Sequence, residues 1–474
     1  MTAPRTQERA NDDSPKRLTR LVFPPLVLSV VVAAASSVVP LSYDEGNWLA
    51  VARRLAAGQV LYRDVTDNKS PALFALVRFL DRMPGSYTLA RAVYLGVVTA
   101  ALAWLATRFL QRLDLRRPTA LILGVVIGLA AAMQAVLVVN FELPAMLLLI
   151  AGMTLFVEGQ DVLGGIVAGL SALFDLRAIV LLPGVVLVAF AIGGRNRALR
   201  LAAGALVPAG AWAITVLSVG SLRYSLLELN VATRGGTTAL HPGSQLAAFA
   251  RSMLLPIVAV GVLTAPSSGT KSLRNASWFL LGAGLLMAIA SVQPFDKYWT
   301  LTVPGLVALC ASRVPRVRTG DRALAAVVLL VALVPSAVYA ATTNRDESRL
   351  VHSYGKAATF VSTAIGRDGT FVRLDAQPFL GTFLATRDLT PAAVLDFLIA
   401  PTSRETANLA AVDRAISRAI AIVDDGALEQ PAETILVPYR RLRGVFAARL
   451  DAFPCIKQGF GLTLHLRSDR CAAP

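Results

Sequence analysis

The sequence predicts an all-α polytopic membrane protein of about 11 transmembrane helices that ends in a small soluble α/β domain. The 474 residues are 55% hydrophobic and have a mean hydropathy of +0.60. Their apolar residues form long runs, and two of these, Ala120–Val139 and Ala323–Ala341, contain no charged residue. A run of about 20 apolar residues is long enough to cross a bilayer. Residues 343–474 differ, with 16 basic and 14 acidic residues, and this balance predicts a soluble domain.

The apolar runs predict the crossings in order. We place them at residues 21–41, 88–108, 118–139, 142–157, 162–174, 178–193, 198–219, 247–265, 275–292, 298–312 and 323–341. The pieces 162–174 and 178–193 are short, so we also consider that they form a broken pair dipping to the outer face.

The basic residues predict the orientation of these helices. The net charge is +16, and 18 of the 46 Lys and Arg residues lie in five short stretches beside apolar runs. This positive-inside pattern indicates a plasma-membrane protein with a cytoplasmic tail at 1–20 and a transmembrane domain at 21–342. It places the first outer loop, 42–87, and the soluble domain, 343–474, outside the cytoplasm. No basic patch is interleaved with aromatic residues, which argues against nucleic acid as a partner.

The first outer loop concentrates the polar residues that suggest chemistry. Ser42 and Glu45 have the spacing of a capping box, which predicts a helix that begins there and ends at Gly58. Asp44 would lie in the first turn, beside the positive end of the helix dipole. An apolar face leaves Arg53 and Arg54 to one side, so we expect this helix to lie along the membrane surface. That face consists of Trp48, Leu49, Ala52, Leu55 and Ala56.

A second interfacial helix is predicted to begin at Ser70-Pro71, with Ser70 as cap and proline in the first helical position. Lys69 stands directly before it, and a cation beside a helix N-terminus suits a phosphate.

The C-terminal domain contains two predicted strands, Thr370–Leu374 and Thr434–Val437, and an amphipathic helix, Ser403–Ile422. Cys455 and Cys471 both fall in this domain, and a disulfide between them would suit an oxidising compartment. No histidine or cysteine cluster has metal-ligand spacing, so no metal site is predicted, although the sequence leaves open a divalent metal as cofactor.

The order of several short motifs resembles the GT-C superfamily, the polytopic glycosyltransferases that use polyprenyl-phosphate sugars, such as protein mannosyltransferases and the lipid A aminoarabinose transferase. The matching pieces are Tyr43–Gly46, Gly58–Asp64, Asn68–Pro71, Arg91, Asn140–Glu142, Gly165–Pro183 and Lys297–Pro304. Two positions depart from the pattern, because relatives usually carry lysine at Asp175 and often histidine at Lys297.

The resemblance implies a membrane glycosyltransferase of the hexosyl or pentosyl class. It would move a sugar from a polyprenyl phosphate to an acceptor outside the cytoplasm, which could be a glycolipid, a cell-wall polymer or a protein. It implies catalytic roles for Asp44, as general base, and Glu142, as a second acid. Contacts to donor phosphate or substrate are expected from Glu45, Lys69, Arg91, Arg177, Lys297 and Tyr298. A single displacement would invert the anomeric carbon.

Two other functions are compatible with the pattern. One is a lipid or solute transporter or flippase, although the chain has no two related halves with interrupted spans. The other is a non-catalytic membrane protein whose outer domain binds cell-wall polymer.

Overall fold

The computed structural model describes most of the chain. The described residues are 15–39, 41–65, 67–135, 137–230, 242–266, 271–290, 296–315, 355–366, 368–374, 384, 387–390, 405–424, 428 and 437–471. Their helices are α1 (Pro15–Ser37), α2 (Tyr43–Ala56), α3 (Pro71–Arg82), α4 (Tyr87–Arg112), α5 (Arg117–Gln134), α6 (Glu142–Val157), α7 (Asp161–Leu170), α8 (Ala178–Ser218), α9 (Gly220–Arg223), α10 (Pro242–Leu263), α11 (Lys271–Ala290), α12 (Val303–Ala311), α13 (355–365), α14 (Glu405–Arg418) and α15 (Val437–Ala447).

The strands and short helical turns complete this set. The strands are β1 (Thr264–Pro266), β2 (Arg313–Pro315), β3 (Phe371–Leu374), β4 (Ala421–Asp424), β5 (Cys455–Gly459) and β6 (Leu462–Leu466). Turns of 3-10 helix lie at Ser171–Leu173, Asp296–Thr302, Leu450–Ala452 and Ser468–Arg470, and a π-helical turn lies at Tyr224–Glu228.

Four helices are long and apolar enough to cross a membrane. They are Tyr87–Arg112, Arg117–Gln134, Ala178–Ser218 and Lys271–Ile289, with shorter apolar helices at Phe23–Ser37, Glu142–Val157, Asp161–Leu173 and Tyr298–Ala311. Ten of the predicted crossings fall on helices, whereas 323–341 lies outside the described residues. The mostly helical fold with long apolar helices that the apolar runs predict is therefore confirmed, and the count of 11 crossings stays a prediction.

The longest helix, α8, combines two predicted crossings. Gly194 interrupts it with φ 77° and ψ 179°, so two helical pieces join there. A φ of this sign favours glycine, which has no side chain to clash with the backbone. The predicted boundary between 178–193 and 198–219 thus coincides with a backbone break.

Glycines let α7 approach its neighbours closely. A side chain at Gly164 would come within 2.6 Å of the Gly152 carbonyl on α6, and one at Gly165 would overlap the Leu201 carbonyl on α8. Small residues allow membrane helices to pack backbone against backbone. Residues 171–177 follow this closely packed helix.

The chain divides into two compact units. The first consists of Met1–Val38, Arg91–Gly210 and His241–Ala340, and the second of Val39–Ala90, Ala211–Leu240 and Ala341–Pro474. The division differs from the one drawn along the sequence, because the first outer loop groups with the C-terminal region. Long-range packing, which linear position does not reveal, decides this grouping.

The second unit contains a four-stranded sheet in the order β3-β4-β6-β5. Strands β3 and β4 are parallel, and the other pairs are antiparallel. One face packs on α13, and the other packs on α14 and α15 through Val412 and Phe446. Helices on both faces explain why β3 and β4 are buried throughout.

Three details of this region test the sequence prediction. The strand at Thr370–Leu374 is confirmed as β3, but the helix predicted over Ser403–Ile422 ends at Arg418, and Ile422 lies in β4. Residues 434–436 of the second predicted strand lie outside the described residues, and Val437 begins a helix instead. Short apolar runs fit a buried strand or a helix equally well, which accounts for the differences at Ile422 and Val437. Cys455 and Cys471 form a disulfide with their Cα atoms 5.3 Å apart.

Candidate functional site

The N-terminus of α2 is built as the sequence predicts. The Glu45 backbone N–H donates to Ser42 Oγ at 3.1 Å, and the Ser42 N–H donates to Glu45 Oε2 at 3.3 Å, completing the capping box. Gly58 follows the helix with φ 94°. Glu45 is 0% exposed, whereas Asp44, in the first turn, is half-buried. Asp44 is therefore the carboxylate of this pair that a substrate can reach.

A third acid, Asp67, belongs to the same cluster and was not among the predicted site residues. It is 1% exposed, and its Oδ2 accepts from Asn47 Nδ2 at 3.2 Å. Asn47 lies one helical turn after Asp44, so both face the same side of α2. Burial raises the pKa of the Asp67 carboxyl, Lys69 opposes this, and the charge of Asp44 adds to the rise. Asp44 and Asp67 therefore lie close enough for the charge of one to disfavour the charge of the other.

Asp67 also shapes the corner before α3. Its Oδ1 accepts from the Lys69 N–H at 2.9 Å, and Tyr62 Oη donates to the Lys69 carbonyl at 2.6 Å. Lys69 Nζ donates to the Asn68 side chain. Asn68 in turn exchanges hydrogen bonds with Asn230, at 3.1 Å in each direction.

The helix α3 begins at Pro71, as predicted from the Ser70-Pro71 pair. Ser70 occupies the capping position, as predicted, although its side chain makes no capping hydrogen bond. Since proline lacks an N–H, the helix start has one donor fewer to satisfy. The cation of Lys69 stays at the start of this helix, the place where an anion would bind.

Arg54 is the clearest departure from the expected interfacial helix. The sequence places it off the apolar face, yet it is 4% exposed, whereas Arg53 is half-buried and pairs with Asp81 at 2.9 Å. Arg54 Nη1 donates to the Thr390 carbonyl at 2.7 Å, and Thr390 lies 336 residues away in the chain. A partner so distant in the chain cannot be predicted from the residues around Arg54.

The first unit contains a separate charged cluster around Arg177. Its Nη2 donates to Glu142 Oε1 at 2.7 Å and to Asp175 Oδ2 at 2.9 Å. The guanidinium also lies 4.7 Å from the Tyr298 ring centroid and 5.3 Å from that of Phe141. Burial lowers the pKa of Arg177, but Asp175 and Glu142 outweigh it and hold the pKa above its ordinary value.

The structure thus brings together three of the predicted residues, Glu142, Arg177 and Tyr298. It adds Asp175, which stands where the resemblance led us to expect lysine. With two carboxylates around one guanidinium, the formal charge of this group is −1. Arg177 is therefore engaged with acids, and its contact to a donor phosphate stays a prediction.

Two other predicted contacts have different settings. Arg91 is 0% exposed, and its Nη2 donates to the Ser36 carbonyl at 2.7 Å, which ties α4 to the end of α1. This placement favours a structural role. Lys297 lies in the turn Asp296–Thr302, and its side chain is outside the described part of the structure. Across the described ranges, no three His, Cys, Asp or Glu residues are grouped to hold a metal ion.

The first unit contains long apolar helices, and the second combines an acidic helix–loop with a four-stranded sheet. A solved structure with a similar fold is described as the crystal structure of ArnT from Cupriavidus metallidurans bound to undecaprenyl phosphate.

The likeness to ArnT has a TM-score of 0.59 at 15% sequence identity. It covers 96% of this chain and 99% of that one, so the fold is shared over almost the full length of both. No protein-family model and no curated protein matches the sequence.

Proposed function

We propose that this protein is a membrane glycosyltransferase that moves a hexosyl or pentosyl group from a polyprenyl phosphate to an acceptor outside the cytoplasm. The observation that carries the proposal is the half-buried Asp44 at the start of α2, whose charge acts on the buried Asp67, the residue that also binds the Lys69 N–H. The fold shared with ArnT, a structure bound to undecaprenyl phosphate, supports the donor class. The class of sugar, the class of acceptor and the orientation in the plasma membrane are all part of this proposal.

In this reaction Asp44 acts as the general base. The acceptor hydroxyl gives its proton to the Asp44 carboxylate while its oxygen attacks the anomeric carbon of the sugar. The bond from that carbon to the phosphate oxygen breaks, and the lipid phosphate leaves with the electron pair. A single displacement inverts the anomeric configuration. The positive charge of Lys69 stabilises the departing phosphate without a proton transfer.

Asp67 supports the choice of base. Burial and the charge of Asp44 both raise the pKa of Asp67, which is consistent with the two carboxyls lying close together. Its bonds to Asn47 and to the Lys69 N–H keep the helix and the lysine corner together. Glu45 completes the capping box, and Glu142 pairs with Arg177. The role of Glu45 in substrate binding and that of Glu142 as a second catalytic acid are part of the proposal.

The test is transfer of labelled sugar from a polyprenyl phosphate by purified protein. Asp44→Asn should lower the rate by about 10²–10⁴-fold, the usual contribution of a general base. Asp64→Asn is the matched control, since Asp64 lies in the same loop but pairs with Arg63 on the surface. Transfer by Asp44→Asn at the unchanged rate would refute the base assignment.

A further inference from the structure

The end of α2 opposite Asp44 is fixed by a buried arginine. Arg54 lies in the last turn of the helix, where its Nη1 donates to the Thr390 carbonyl at 2.7 Å and its Nε donates to Gln59 Oε1 at 2.8 Å. Both contacts lie within the second unit. A guanidinium that is 4% exposed stays buried only if its hydrogen bonds compensate for the water it has lost.

The segment that receives Arg54 is anchored to the edge of the sheet. The Phe371 N–H donates to the Arg387 carbonyl at 3.1 Å, and the Leu389 N–H donates to the Phe371 carbonyl at 2.8 Å. Residues 387–390 therefore extend the sheet beside β3. Because the receiving carbonyl belongs to this anchored segment, it is a fixed point in the C-terminal part of the chain.

A buried ion pair holds this segment in place. Arg373 Nε donates to Asp388 Oδ2 at 2.7 Å, and the two side chains are 2% and 1% exposed. Asp388 Oδ1 accepts from the Thr390 N–H at 2.9 Å, while the Arg373 N–H donates to Thr390 Oγ1 at 3.1 Å. Asp388 also interacts favourably with the charge of Arg54. Arg373 acts on Arg54 in the opposite sense, so the charges of Arg54, Asp388 and Arg373 are coupled, and Asp388 offsets the repulsion between the two arginines.

The geometry of α2 connects this network to the candidate base. Asp44 and Arg54 are ten residues apart on a continuous 14-residue helix, which separates them by about 15 Å along its axis. A helix of this length moves as a rigid unit, so a displacement of the backbone at Arg54 also displaces Asp44. A misplacement of about 1 Å can cost about 10²-fold in rate.

We propose that Arg54 is a positioning residue for Asp44, through which the C-terminal domain sets the place of the catalytic helix. The inference rests on the proposed function, because it takes Asp44 as the base. It gives the C-terminal domain a part in the reaction that does not depend on acceptor binding.

The experiment compares Arg54→Met with Arg53→Met in the full-length protein. Arg53 is the matched control, since it is adjacent on α2 and its ion pair with Asp81 is partly exposed. In folded protein, Arg54→Met should lower kcat by about 10–10²-fold and change KM for the lipid-linked sugar less than about twofold. Arg53→Met should keep kcat within about twofold. Arg54→Lys, which retains the cation and a donor, should recover part of kcat.

The readout separates positioning from loss of folding because kcat is measured per folded molecule, with thermal unfolding recorded in parallel. If Arg54→Met does not fold, Asp388→Asn decides by the same criteria, since it removes the negative charge that interacts with both arginines but keeps an acceptor for the Thr390 N–H. A kcat within twofold of the unmodified protein in whichever of these variants folds overturns the proposal, as does a loss that only follows the folded fraction.

Asp44→Asn is assayed beside these variants. If Asp44→Asn retains full activity, the proposed base is wrong. If Asp44→Asn is inactive while folded Arg54→Met has full kcat, only the positioning role is wrong.

Discussion

Replacing Arg177 should destabilise the first unit far more than replacing either acid that it binds. The side chain of Arg177 is 14% exposed and lies between Glu142 and Asp175, which are 0% and 3% exposed. Arg177→Met leaves two buried carboxylates without their cation. Breaking a buried ion pair in this way costs about 3–5 kcal/mol. Glu142→Gln, in contrast, leaves a neutral Arg177–Asp175 pair and costs about 1 kcal/mol for the altered hydrogen bond.

The assay is thermal unfolding of purified protein in detergent. Since about 1 kcal/mol shifts the midpoint by about 2–4 °C in domains of 150–250 residues, Arg177→Met should lower it by about 6 °C or more, and Glu142→Gln by about 4 °C or less. A triple variant that combines Arg177→Met with Glu142→Gln and Asp175→Asn removes all three charges, so it should recover much of the loss.

Two results would refute this reasoning. One is an unfolding midpoint for Arg177→Met equal to that of Glu142→Gln, which would mean that the remaining acids are solvated. The other is a triple variant no more stable than Arg177→Met alone, since the cost would then come from packing against the Phe141 and Tyr298 rings rather than from charge.

Four further changes probe other parts of the fold. Gly165→Ala should cost about 1–3 kcal/mol by overpacking α7 against α8, measured as a lower unfolding midpoint, while Gly210→Ala, where the structure has open space, should not. Ser42→Ala should cost about 1 kcal/mol by removing the helix cap, again read from the midpoint. Cys455→Ser should cost about 3 kcal/mol, as expected for a bond spanning 16 residues, and a reductant should then no longer lower the midpoint. Burial raises the pKa of Asp67 in the folded protein. The free energy of unfolding should therefore fall as pH rises from the ordinary pKa of Asp to the raised one, and Asp67→Asn should remove this pH dependence.

Asp67→Asn should still fold, because the neighbouring amide has a spare acceptor. Asn47 Oδ1 meets no donor among the described residues. Rotation of the Asn47 amide would let it accept from the new side chain at position 67.

The Arg177 cluster changes how the resemblance is interpreted. The resemblance led us to expect lysine at the position of Asp175, where this chain has an acid. A cluster with a formal charge of −1 would not by itself attract phosphate. In the proposed reaction, stabilisation of the phosphate therefore depends more on Lys69, whose side chain is partly exposed at the start of α3.

The sequence by itself determined the local features of the protein. The apolar runs predicted the helices, the Ser42–Glu45 spacing predicted the capping box, and Gly58 and Pro71 marked a helix end and a helix start. Each depends on neighbours within a few residues, where hydrogen bonding and backbone sterics act directly.

Only the tertiary structure decided which distant residues meet. Asp67 joins Asn47 across 20 residues, Arg177 joins Glu142 across 35, and Arg54 joins Thr390 across 336. Each side chain has an unremarkable place in the sequence, and an arginine on a helix normally predicts a solvated surface. Burial in the folded chain reverses that expectation, because a charge removed from water must find its partner wherever the chain brings one close.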